Sequence, residues 1–126
     1  QTLIGLFQDP DVVVRRQASV SLRQLGPAAE AAVPALIKLL GDDHDFIRRQ
    51  AAFALGQVGP LARAAVPNLA DALHDPDHGV RLEAVHALGQ IGPNARSAVP
   101  ALNSAAQDQS IRREVDEALQ RIGHGV

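Results

Sequence analysis

Metal-ligand side chains crowd together at one place in this chain, His74-Asp75-Pro76-Asp77-His78. Imidazole and carboxylate groups are ligands for zinc and similar ions. Ligand types alone satisfy neither the count nor the geometry of a metal centre. Asp75 also has a competing duty, because Asp before Pro signals a helix start, and Asp9-Pro10-Asp11 does the same with no histidine. The cluster therefore reads as a turn, as do His44 and Asp45 in the equivalent place, and no metal or other cofactor is expected. Ser19, Ser21, Ser97, Ser104 and Ser110 lie in no nucleophile-elbow context and lack a His–carboxylate partner set. The chain has no Cys, which removes thiol nucleophiles, thiolate zinc sites and disulfides. No catalytic residue is assigned.

Two charged columns recur. Arg15, Arg48, Arg81 and Arg112 share one register; Asp9, Asp42, Asp75 and Asp108 share another. A row of arginines can bind an anion. Alternatively, each guanidinium fork bonds a turn carboxylate or carbonyl of its own or the next unit, forming a ladder along the chain. The ladder is preferred, because residues that do not vary between units serve the stacking that all units share.

These columns belong to a repeat. Val14-Arg15-Arg16-Gln17-Ala18 returns as Ile47-Arg48-Arg49-Gln50-Ala51, Val80-Arg81-Leu82-Glu83-Ala84 and Ile111-Arg112-Arg113-Glu114-Val115, at spacings of 33, 33 and 31 residues. Gly26, Gly59, Gly92 and Gly123 close the copies, and Ala-Val-Pro at 32–34, 65–67 and 98–100 interleaves with them. Apolar residues recur at helical spacing in each second helix: Val14, Ala18, Leu22 and Leu25, then Ile47, Ala51, Leu55 and Val58, and so on. The first helices carry Leu36, Leu39 and Leu40, or Leu69, Ala72 and Leu73, or Leu102, Ala105 and Ala106, with Leu3, Leu6 and Phe7 in the first unit. The pattern predicts about eight helices of roughly 9–14 residues and no strand. A fixed period of this length implies units that bury their apolar faces only by stacking. The expected fold is an all-α, right-handed alpha-alpha solenoid of four helix pairs. It forms one domain over 1–126, with units near 1–27, 28–60, 61–93 and 94–126. Gln1 falls at the register of Pro34, so the first unit lacks the start of its first helix and the chain reads as a piece of a longer array.

Composition agrees. Apolar residues make up 46%, mostly small aliphatics, and the aromatics are Phe7, Phe46 and Phe53. A formal net charge of −2 argues against a dedicated nucleic-acid binder, which needs a basic footprint. No signal peptide is visible and no apolar run approaches the ~18 residues of a membrane span, so a cytoplasmic location is favoured. The end units show no obvious polar cap, which leaves room for weak end-to-end self-association.

The phrase Asp-Pro-Asp-x-x-Val-Arg-x-x-Ala-x-x-x-Leu-x-x-Leu/Ile-Gly resembles the HEAT repeat family, in particular the branch of PBS-lyase HEAT-like repeats. It also resembles the consensus behind designed helical repeat proteins of that branch. The resemblance spans the whole chain and implies the solenoid, but the fold hosts scaffolds, phycobilin lyases, a di-iron hydroxylase and DNA glycosylases. The hydroxylase reading needs His-Glu pairs, and none exists here. The glycosylase reading needs a basic groove with aromatics, yet residues 64–126 hold five Arg against eight carboxylates. The fourth unit departs from the pattern: its turn is two residues shorter, Val115 replaces the Ala, and His124 replaces the Pro.

In the families resembled, second helices line the concave face. The slots that would point into it are where the units differ: Arg16, Gln17, Val20 and Gln24; Arg49, Gln50, Phe53 and Gln57; Leu82, Glu83, His86 and Gln90; Arg113, Glu114, Glu117 and Arg121. Val20, Phe53, His86 and Glu117 should form one row, with Phe53 as an anchor of the aromatic kind that interfaces favour. Arg16, Arg23 and Arg49 make one end of the face basic; Glu83, Glu114, Asp116 and Glu117 dominate the other. The expected function is non-catalytic binding of a protein or peptide of complementary polarity. The alternative is part of a phycobilin lyase or another chromophore-handling protein, for which His86, Glu83 and Glu117 are the candidate acids and bases.

Overall fold

The computed structural model describes residues 3–6 and 9–123, without the side chains of residues 3, 4, 19, 22, 23, 26 and 27. Leu3, Ser19, Leu22 and Arg23, as side chains, and Phe7 and His124 altogether, lie outside the described residues. Among the described residues eight α-helices follow in pairs: α1 (Leu3–Leu6) and α2 (Val12–Leu25), α3 (Val33–Leu39) and α4 (Asp45–Val58), α5 (Val66–Ala72) and α6 (His78–Ile91), α7 (Val99–Ala105) and α8 (Arg112–Ile122). No strand occurs among the described residues.

The turns into the second helices differ from the expected caps. Asp9, Asp42, Asp75 and Asp108 each accept the N–H two residues on, at 2.8, 2.9, 2.9 and 3.0 Å. This closes an Asx-type turn rather than capping a helix. The caps fall later: Asp77 accepts the Val80 N–H at 2.9 Å, and Asp11, just before α2, accepts the Val13 N–H at 2.9 Å. Asp-Pro-Asp offers two carboxylates, and the one nearer the helix reaches its free N–H groups. Pro10 and Pro76 consequently sit in turns, not at the first helical position.

Gly59 and Gly92 stop α4 and α6 at φ 74° and 75°, a conformation that a side chain strains. The chain does not pass directly into the next helix. Seven-residue 3-10 segments intervene at Gly26–Ala32, Gly59–Ala65 and Gly92–Ala98, and their alanines Ala62, Ala65 and Ala95 are wholly buried. α3, α5 and α7 start where the sequence places them but have seven residues each, short of the roughly 9–14 expected. Their prolines lie in the opening turn, as the sequence predicts.

The core is a stripe along the stack, with Leu36, Ile47, Leu55, Leu69, Val80, Leu88, Ile91, Leu102, Ile111 and Ile122 fully buried. Leu25 departs from its expected burial and is 50% exposed, whereas Val58 and Ile91 at the same register are enclosed. Ile122, at the same register in the fourth unit, is enclosed too, so the exposure is particular to Leu25. The second helices α2, α4, α6 and α8 pack directly on one another, while α3 and α5 meet the next unit chiefly through its 3-10 segment. Glycine permits the close packing: a Cβ on Gly56 would lie 3.0 Å from Cα of Ala87, and one on Gly89 would lie 3.2 Å from Cα of Ala118. In the fourth unit the shorter turn removes helix: α8 has 11 residues against 14 in α6, and Ile111 starts it without a side-chain cap.

Candidate functional site

Arg48 makes the fullest rung of the ladder. Its Nη1 donates to the carbonyl of Asp42 in its own turn at 2.8 Å, and its Nε and Nη2 fork onto Asp75 of the next unit at 2.9 and 3.1 Å. The hydrogen bond it donates to Asp75 raises the Arg48 pKa above its ordinary value, so this charge is permanent. Arg15 donates to the Asp9 carbonyl at 2.8 Å and lies 3.3 Å from Asp42. Arg81 donates to the Asp75 carbonyl at 2.7 Å but stands 3.8 Å from Asp108. The Asp108 carboxylate is taken instead by the hydroxyl and N–H of Ser110, which hold it below the usual carboxylate range. Arg112, expected to share the ladder, is exposed and makes no ion pair among the described residues. No turn after its unit lies among the described residues.

The histidine cluster does not converge. Asp75 is held by Arg48 and the Asp77 N–H, and Asp77 caps α6. His74 and His78 are exposed. No group of three potential metal ligands comes together among the described residues.

The open face of the second helices carries two hollows. One, of about 240 Å³, spans α4, α6 and α8 and is lined by Phe53, Glu83, His86, Gly89, Gln90, Glu114, Glu117, Ala118 and Arg121. The other, of about 520 Å³, lies at α2 and the start of α4, lined by Val13, Arg16, Gln17, Val20, Ser21 and Phe46. A third hollow, of about 310 Å³, opens elsewhere, between α3 and α5 around Lys38, Asn68 and Asp71.

The structure thus divides the predicted row. Phe53, Glu83, His86 and Glu117 line one hollow; Arg16 and Val20 line the other. Leu82 packs against the core, and Arg113 is 84% exposed at 3.6 Å from Glu114, outside both hollows. Arg49 is partly structural. Its guanidinium lies 5.7 Å from the Phe46 ring centroid, its Nε is 3.6 Å from Asp77, and its stem crosses Gly79, where any side chain would collide with it. Arg16 covers the same ring at 4.4 Å.

Phe46 is a site residue that the sequence reading passed over. It stands at the register of Val13, Gly79 and Ser110, one helical turn before the Arg16 and Arg49 column. The available signal was that pair of arginines three residues beyond an apolar position, on one helix face. Gly89 was missed as well; a glycine recurring mid-helix at 56 and 89 marks close approach.

The HEAT repeat family matches the sequence over residues 1–56 and 47–120. The chain belongs to the HEAT repeat family. No curated protein sequence matches it. Among solved structures, this HEAT repeat chain is similar to the complex of CpcE and CpcF of phycocyanin lyase from Nostoc sp., at 31% identity and a TM-score of 0.83, over 96% of this chain and 52% of that one. An engineered protein shares 26% identity at a TM-score of 0.70, over 95% of this chain and 60% of the other. A designed armadillo repeat protein in complex with the peptide (KR)4 shares the fold at 20% identity and a TM-score of 0.82, over 96% and 63%. The chain spans less than two thirds of the length of each. It is a helical repeat scaffold, and none of the helices among its described residues is long and apolar enough to cross a membrane.

Proposed function

We propose that this HEAT repeat chain is a non-catalytic scaffold that binds an extended protein segment or peptide on the face of α2, α4, α6 and α8. One observation carries the reading: three successive units supply three different residues, Phe53, His86 and Glu117, at one register around one hollow. Positions freed from stacking duty vary, and variation along a rigid row is what selective recognition needs. The second helices pack more closely than the first, which favours that layer as the inside of the curve, where one ligand touches several units. The designed armadillo protein carries a peptide on a related fold, and this supports the reading by analogy only.

Peptides selected from a display library against the intact chain provide the test. His86→Asp and Glu117→Lys, both at exposed positions, should weaken a selected peptide by about tenfold together. Lys38→Ala and Asn103→Asp on the first helices should leave it unchanged. The opposite pattern would move the site off this face.

A second reading, chromophore handling, is favoured by the likeness to the phycocyanin lyase complex. His86, Glu83 and Glu117 would be its acid and base groups. The hollow of about 240 Å³ lies below the ~300–1,000 Å³ usual for small-molecule sites, so the scaffold is preferred. A change in the absorbance of added bilin would reverse that preference.

A further inference from the structure

We infer that the partner segment is dipolar: an acidic side chain seats at Arg16 beside Phe46, and a basic one seats among Glu83, Glu114 and Glu117 beside Phe53. The inference rests on the proposed binding face and names the chemistry of its occupant.

The two hollows belong to one surface. Gln17 and Val20 in the first hold the same registers as Glu83 and His86, and as Glu114 and Glu117, in the second. Their charges are opposite. In the first, Arg16 is exposed and laid over the Phe46 ring at 4.4 Å. An aromatic face restrains a guanidinium and leaves its N–H edge directed outward, pre-organised for a carboxylate. Arg49 adds positive charge 5.7 Å from the centroid of the same ring, although it is tied to Asp77. No carboxylate lines this hollow. In the second, three carboxylates outnumber the guanidinium of Arg121 in the lining, and Arg113 outside it stands 3.6 Å from Glu114, so the hollow stays net acidic. Phe53 adds aromatic surface. Carboxylates beside an aromatic ring suit a guanidinium or ammonium group.

Geometry sets the spacing. Packed helices lie about 8–10 Å apart, and about two such intervals separate the centres of the hollows. An extended segment advances about 3.3 Å per residue, so its opposite charges should stand roughly five or six positions apart. A segment of uniform charge would meet repulsion at one end.

Three fluorescein-labelled synthetic peptides of equal composition test this by fluorescence anisotropy. Two place a Glu pair and an Arg pair about five residues apart, in the two chain orders. The third interleaves the same charges. One block order should bind about tenfold tighter than the interleaved peptide at low salt, the sum expected of a few exposed ion pairs, with the margin shrinking as salt rises. Arg16→Glu and Glu117→Arg should each reduce that margin about threefold, with circular dichroism confirming the fold. Combining Arg16→Glu with Glu83→Arg and Glu117→Arg should transfer the preference to the other order. Equal affinities for block and interleaved peptides would overturn the inference, as would no binding by any of the three. If equal affinities still fell on His86→Asp, the face would stand and only its polarity would be lost. If they did not fall, the binding face would fail too.

Discussion

Arg48 and Arg81 stand at one register, yet their rungs are unequal. Arg48 bonds a carboxylate and a carbonyl that are mostly enclosed, and Arg48→Ala leaves both short of donors. Hydrogen bonds to charged groups of this kind are each worth about 1.5–3 kcal/mol, so the variant should lose roughly 2–3 kcal/mol. Arg81→Ala should lose about 1 kcal/mol, since its carboxylate partner is 3.8 Å away and partly exposed. Arg112→Ala should cost close to nothing, as surface substitutions usually do. Urea unfolding of the three variants measures the order, and equal losses would refute it. At Asp108 the Ser110 hydroxyl competes for the carboxylate, at 2.7 Å. The columns of Arg and Asp were legible in the sequence because they repeat. Their unequal strength was not, because it depends on where a turn carboxylate points. Phe46 was obscured for the opposite reason: its column holds Val13, Gly79 and Ser110, and what it touches is set by the neighbouring helix.

Two glycines of α6 and its exit separate packing from backbone conformation. Gly89 is buried against Ala118, in helical backbone. Gly89→Leu must push α8 away and fill the hollow, costing about 1–3 kcal/mol by overpacking and abolishing peptide binding. Gly92 has open space around its Cβ direction but φ of 75°. Gly92→Ala should cost a similar ~1–3 kcal/mol through strain alone and leave affinity intact. Thermal melts paired with peptide titrations distinguish them; parallel loss of binding in both variants would contradict the assignment. At this scale the sequence was most informative. Helix pairs, Gly stops and Pro starts follow from local chemistry. The 3-10 segments between Gly stop and Pro start escaped because seven Ala-rich residues carry no periodicity of their own. The caps were misplaced because Asp-Pro-Asp presents two equivalent carboxylates, and only the fold selects between them.

Along the whole molecule, each unit touches only its neighbours, so stability is a sum of unit and junction terms. α4 and α6 are flanked on both sides, while α1 touches α2 at one end. Native-state hydrogen exchange should be slowest in α4 and α6 and fastest toward α1. Uniform protection from α1 to α8 would instead mean that the array opens as one body. The stack itself was predictable from the period, and the two hollows were not. One takes in Gly89, where helices approach closely, and the other lies against Phe46 under Arg16, neighbour effects that no single unit encodes.

The rungs and glycine seats also bear on how such a chain can be rearranged. Residues 28–60 and 61–93 offer the same couplings on both sides: a receiving aspartate at 42 or 75, a donating arginine at 48 or 81, a seat at Gly56 or Gly89. Transposing these blocks would keep those rungs and seats, and would give up the Arg49–Gly79 fit and the Arg16–Phe46 stacking. The order of Phe53 and His86 along the face would be exchanged. Joinery and message are written in separate letters, so recognition in this chain can be edited by shuffling modules, without a single new side chain.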